Sequence, residues 1–186
     1  RLARRYKLAQ KVEEDWENKM QTLYKFLHQI ISILYNKVEA SENCLRLFLL
    51  AAQSADETGF EELAYEFYVQ SFTIYEESIS ESRAQLQAIG LIISTWQTSR
   101  VFGVDNYDTL ITKAALHGAK LLKKPHQAAA VMMASHLWWQ VPAYGRKDDD
   151  KDKKEEFGLN RYILVSVRFN ADLVPKPELK PLPPVK

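Results

Sequence analysis

Apolar residues recur at the helical period along most of this chain of 186 residues. Leu23, Phe26, Leu27, Ile30, Ile31 and Leu34 fall at i, i+3, i+4, i+7, i+8 and i+11, a single stripe on one helix face. A second helix is expected over 41–56, with Ser41 as its N-cap. Its segment LRLFLLAA is apolar around most of the circumference, as an inner helix would be, and Thr58-Gly59 breaks it. A third, over 61–77, sets Ala64, Phe67, Tyr68, Ser71, Ile74 and Tyr75 on one face. A fourth, over 80–101, presents Leu86, Ile89, Ile93 and Trp96, with Ser80, Ser82 and Gly103 as start and stop signals. A fifth covers 105–123, and Pro125 suits the first turn of a sixth over 125–139, where its missing N–H costs nothing.

Turns between paired helices fall near 38–41, 78–80 and 123–125, a spacing of about 40–45 residues that matches HEAT-like hairpins. The expected fold is therefore all-α, an α-solenoid of stacked hairpins over residues 1–140. After Gln140 the pattern changes. GRKDDDKDKKEE has no apolar residue to bury and makes 141–157 a charged, solvated linker. In 158–186, RYILVSVRF alternates at the strand period, and VPKPELKPLPPVK holds five of the seven prolines and reads as extended. That last segment is either an unstructured tail or a stiff ligand for a partner's apolar pocket, since proline reduces the entropy lost on docking.

Charge alters the picture only locally. With 25 Lys+Arg against 24 Asp+Glu, the chain has no broad basic field for nucleic acid or anionic membrane. The lone Cys44 excludes an intrachain disulfide and a Cys-based zinc site built from this chain alone, and fits a reducing compartment. The basic stretch RLARRYKLAQKV lacks a signal peptide's apolar run, and no stretch nears the roughly 18 residues of a membrane span. A cytosolic chain is expected.

Catalytic constellations are missing from the sequence: no HExxH, no GxSxG, no glycine-rich phosphate loop. His28, His117, His126 and His136 are scattered over different helices, and His28 and His117 read as helix-face residues satisfied by neighbours. Cys44 reads as a small core residue, and Trp138, Trp139 and the tyrosines of AYEFYVQSFTIYEE as packing residues. No catalytic, metal or cofactor residue is assigned.

Two charge clusters stand out instead. Glu76, Glu77 and Glu81 flank the turn between the third and fourth helices; Lys120, Lys123 and Lys124 flank that between the fifth and sixth. In a hairpin stack alternate turns emerge on one edge, so the clusters sit on adjacent repeats about 10 Å apart. Two readings stand. Lysines at a helix C-terminus and a glutamate at an N-terminus favour the helix dipole, by about 0.3–1 kcal/mol each. Alternatively, a two-fold axis between patches of opposite sign makes the surface complementary to itself.

The segments AYEFYVQSFTIYEESISESRAQLQAIGLIIST, LRLFLLAA, LLKKPHQ and SHLWW closely resemble the C-terminal part of the large α-solenoid subunit family of retromer, over roughly residues 1–140. The resemblance implies a non-enzymatic cytoplasmic scaffold, peripheral on endosomal membranes through its partners, that recycles cargo to the Golgi or plasma membrane. Its implied partners are a metallophosphoesterase-fold subunit, vacuolar protein sorting-associated protein 29, held on the concave side, and a second copy of itself. Sorting nexins and regulators join indirectly, and nucleic acid is not among the partners. The dimer contacts of the family map onto Glu76, Glu77, Glu81, Lys120, Lys123 and Lys124. LNRYI resembles the opening of a later family helix, whereas LVSVRFNADLVPKPELKPLPPVK departs from the family pattern. Pro181, Leu182 and Pro183 resemble the Pro-Leu motifs that the metallophosphoesterase-fold subunit accepts, which makes the tail an alternative functional element.

Overall fold

The computed structural model describes residues 2–10, 15–38 and 40–139. It consists of α1 (Leu2–Ala9), α2 (Trp16–Lys37), α3 (Ser41–Thr58), α4 (Glu61–Ser78), α5 (Ser82–Gln97), α6 (Val104–Ala119) and α7 (Lys124–Trp139), with no strand among the described residues. The short connections force successive helices to run antiparallel, giving the stacked hairpins of an all-α solenoid. The linker 141–157, the strand-like segment and the proline-rich tail all lie outside the described residues.

Three helices, α3, α4 and α7, run where the pattern placed them, within a residue or two. α3 ends at Thr58 because Gly59 takes a left-handed φ of 90°. Gly59 N donates to Asp56 O, and Phe60 N reaches back to Ala55 O at 3.0 Å, closing the last carbonyls in a Schellman arrangement. That tight reversal lays α4 along α3, the most extensive helix pair in the stack. α5 and α6 are shorter than expected, and their boundary residues change role. Glu81 rather than a serine caps α5, and Gly103 stands at the N-cap of α6 instead of closing the preceding helix. Ser41 is the first residue of α3, not its cap.

The core is a column of rings and branched side chains. Tyr24, Phe48 and Phe67 meet between α2, α3 and α4, with Tyr24 and Phe67 centroids 6.0 Å apart. Further along, Tyr68 meets Trp96 at 4.6 Å and Trp96 stacks on Phe102 at 4.4 Å. Burying such large apolar rings supplies the main folding drive of each repeat. Tyr24 enters the core because Ser54 and Thr58 hydroxyls lie 3.2 and 2.8 Å from its own. The stripe read on α2 is therefore out of phase by part of a turn. Met20, Tyr24 and Ile31 are buried, while Phe26 and Ile30 remain exposed.

α6 and α7 approach closely enough that a Cβ on Gly118 would stand 2.9 Å from that of Ala130. The repeat also appears in backbone capping: Gln85 Nε2 donates to Ile79 O at 2.9 Å, and Gln127 Nε2 to Leu121 O at 2.6 Å. Ile79 and Leu121 are both buried beneath their turns. The same residue types serve the same turn one repeat later.

Candidate functional site

Antiparallel stacking sorts the turns onto two edges. One carries the connections 59–60 and 98–103; the other carries 38–40, 79–81 and 120–123.

The first edge is closed by carboxylates reaching across to the next repeat. Asp56 Oδ1 accepts from Ser99 Oγ at 2.8 Å, Arg100 N at 2.8 Å and Val101 N at 2.7 Å, fixing the turn after α5. Glu61 Oε1 accepts from Gly103 N at 2.9 Å and Asn106 Nδ2 at 2.8 Å, which satisfies the start of α6. Arg4 grips Glu57 in a two-pronged ion pair at 2.8 and 2.7 Å, and Lys7 donates to the Glu57 carbonyl. These acids already have partners within the chain.

The second edge holds all six charged residues singled out from the sequence, and their surroundings differ. Glu76 Oε1 is shared between Lys113 Nζ at 2.8 Å and His117 Nε2 at 2.9 Å, across from α4 to α6. The Lys113 hydrogen bond, first, and then its charge and that of His117 hold the Glu76 carboxyl below its usual range. His117 lies against Phe72 and Tyr75, and burial pulls its pKa down against the opposing pull of Glu76. Glu81 accepts from Arg83 N at 3.0 Å and Ala84 N at 2.7 Å; those backbone bonds, with Lys123 nearby, depress its pKa. Glu77 is exposed, with the Tyr35 hydroxyl 3.5 Å away.

The lysines are placed differently from the sequence expectation. α6 ends at Ala119, so only Lys120 stands at a helix C-terminus. Gln127 N donates to Lys123 O at 3.0 Å, which puts Lys123 at the N-cap position of α7, and Lys124 is the first residue of that helix. The helix dipole therefore accounts for Lys120 and opposes Lys123 and Lys124. All three side chains are exposed, and none makes an ion pair among the described residues.

The two clusters do adjoin. Ser82 Oγ and His126 Nδ1 are hydrogen bonded at 3.0 Å, joining the starts of α5 and α7, and Lys123 acts on the Glu81 carboxylate. The earlier interval on the same edge is open: a depression of about 460 Å³ between the turns at 38–40 and 79–81 has Ala40, Glu42, Asn43, Ile79 and Ser80 in its lining. Glu42 and this depression were not singled out from sequence. Only the repeat of about 42 residues linking Ile79–Gln85 to Leu121–Gln127 could have pointed to it.

The remaining candidates fall into place as packing. Cys44 is buried, which pushes its thiol pKa up. His28 packs on Phe48 and Phe67, and its buried Nε2 has no hydrogen bond, with Glu66 Oε1 at 3.8 Å. His126 serves the Ser82 bridge, and His136 is exposed. Among the described residues no group of three or more His, Cys, Asp or Glu side chains could hold a metal ion. Pro181, Leu182, Pro183 and the side chains of Trp138 and Trp139 lie outside the described residues.

Helical hairpins closed on one edge and charge-sorted on the other define a helical-repeat protein. The family model described as vacuolar protein sorting-associated protein 35 matches residues 1–161, and the chain belongs to that family. The match runs beyond residue 140, through the charged run and into LNRYI. Vacuolar protein sorting-associated protein 35 of Schizosaccharomyces pombe is 46% identical over 140 residues, covering 75% of this chain and 16% of that protein. Protein 35A of Arabidopsis thaliana is 50% identical over 117 residues, 63% of this chain and 15% of that protein. Protein 35B of the same plant is 45% identical over 129 residues, 69% of this chain and 16% of its own length. The chain thus spans about a sixth of the curated relatives it matches.

Proposed function

We propose that this chain is a non-enzymatic scaffold segment of the endosomal retromer coat. It holds the metallophosphoesterase-fold subunit and pairs with a second copy of itself through the charge-sorted edge, in a coat that returns cargo to the Golgi or plasma membrane. Family membership and the sorting role in the relatives' names support the assignment. No described helix is long and apolar enough to cross a membrane.

The observation that carries the self-association is the position of Lys123 and Lys124. Two cations at the positive end of α7 are unfavourable for that helix, so its folding does not call for them. Glu81 of the same chain already acts on Lys123, and acidic groups of a facing copy would offset Lys124 and add to the contact at Lys123. Of the three acids, Glu77 is the freest to supply such a contact, Glu81 can do so while capping α5, and Glu76 is committed to Lys113 and His117. The acidic side of the interface is thus weighted toward Glu77 and Glu81.

Sedimentation equilibrium at about 50 and about 500 mM salt tests this reading. The parent chain should form a dimer that weakens with salt, and a Lys120→Glu, Lys123→Glu, Lys124→Glu variant should stay monomeric while binding the metallophosphoesterase-fold subunit with unchanged affinity. A parent chain that is monomeric at both salt concentrations contradicts it.

A further inference from the structure

The turn that carries the lysines also exposes an apolar side chain. Leu122 is 82% exposed, flanked by Lys120, Lys123 and Lys124, while the adjacent Leu121 is 2% exposed beneath the turn. A residue just before an N-cap usually folds back on the first turn of its helix as a staple. Here the corresponding place on α7 is taken by Gln127, whose amide is turned to Leu121 O. One repeat earlier the position of Leu122 is filled by Ser80, so the turn itself has no need of a leucine. A single exposed leucine is ordinary on a protein surface; this one is centred in a basic cluster, on an edge with an open depression.

The depression between the turns at 38–40 and 79–81 is the matching feature. Ile79 and Ala84 contribute apolar lining, Glu42 and Glu81 stand in it, and the exposed Glu77 immediately precedes the lining residue Ser78 in the chain. Val38, two residues before Ala40, leaves a further apolar side chain 47% exposed on the same edge. The sign of its acids is opposite to that of the lysines around Leu122. With repeats about 10 Å apart, the Leu122 turn lies one and a half repeats from the depression. A two-fold axis beside the turn 79–81 would bring each Leu122 over the depression of the other copy, satisfying both contacts at once.

We propose that Leu122 is the apolar anchor of self-association and seats in this depression of a second copy, its lysines facing Glu77, Glu81 and Glu42. The inference rests on the reading of the edge as a self-association surface and adds the residue that excludes water at its centre. Charge then sets register and salt dependence, and the anchor sets the affinity that remains at high salt.

Sedimentation equilibrium of the full chain at about 50 and about 500 mM salt separates the two. Leu122→Ser should weaken the dimer at least about tenfold at both salt concentrations with the salt dependence unchanged, and Leu122→Ile should restore most of the loss. Circular dichroism of both variants should match the parent, because the side chain is exposed. If Leu122→Ser leaves dimerisation unchanged while the triple lysine variant abolishes it, the anchor is wrong and the charged edge survives. If Leu122→Ser instead abolishes flotation with vesicles containing phosphatidylserine and leaves the dimer intact, the leucine serves a lipid surface and the proposal is overturned. A monomeric parent overturns anchor and edge together.

Discussion

The two edges of this solenoid use similar residue types to opposite ends. On the edge at 59–60 and 98–103, Asp56, Glu57 and Glu61 are engaged within the chain by a hydroxyl, backbone N–H groups, the Asn106 amide and Arg4. On the edge at 38–40, 79–81 and 120–123, Glu77 and the three lysines stay exposed, and the charges are sorted by sign between neighbouring turns. A hydrogen-bonded carboxylate that reaches across couples repeats, whereas an exposed sorted one is available for recognition. Whether a charged side chain holds a fold together or reads a partner thus depends on what its own chain already offers it.

The largest effect should come from breaking the closed edge. Asp56→Ala removes three hydrogen bonds to a charged acceptor, and unfolding in urea should show a loss of about 2–4 kcal/mol with little change in self-association. A loss of under about 0.5 kcal/mol would mean that water replaces the carboxylate freely. Gly118→Val tests the support beneath the open edge. Its side chain would meet Ala130, and overpacking should lower stability by about 1–3 kcal/mol. If the variant keeps parental stability, the α6–α7 crossing is looser than the 2.9 Å approach requires.

On the open edge the sign should reverse. Replacing Lys124 by Glu puts an anion at the start of α7 without removing the attraction between Lys123 and Glu81, so thermal melts should show a gain of about 0.3–1 kcal/mol even as association weakens. A loss of stability would mean that this lysine contributes to the monomer and is not held in reserve for a facing copy.

The smallest effect is a pH dependence. His117 has a folded pKa held down mainly by burial, so the neutral ring is the one the fold prefers. Its contribution is complete above the unfolded value near 6.5 and is lost as pH falls below that through the depressed folded value. Glu76 and Glu81, also depressed, add a second loss at lower pH, below the unfolded value near 4.5. His117→Gln should flatten the first step in a pH series of urea midpoints and leave the second; an unchanged first step would assign it elsewhere.

α2 to α7 were legible from apolar periodicity and from start and stop signals, α1 was not read as a helix, and Gly59 marked its turn by the one backbone conformation that glycine adopts cheaply. The phase of α2 was not, because Tyr24 counts as half-polar until Ser54 and Thr58 are seen to satisfy its hydroxyl. The charged clusters could be found and set on one edge, yet their local roles could not. LLKKP reads as a helix ending in lysines, and only the backbone bond to Lys123 O shows that the next helix has already begun. Asp56 and Glu61 escaped notice for a different reason. Their partners lie 42–45 residues away, a separation that becomes a contact only once the repeats are stacked.

A charge exchange across the open edge tests self-complementarity most directly. One variant carries Lys120→Glu, Lys123→Glu and Lys124→Glu; the other carries Glu77→Lys and Glu81→Lys. Each alone should sediment as a monomer, since both contacts of the two-fold pair then face like charge. Mixed in equal amounts they should form a salt-sensitive heterodimer. If the mixture stays monomeric while the parent chain dimerises, the copies meet through some other surface and the sorted edge is not the interface.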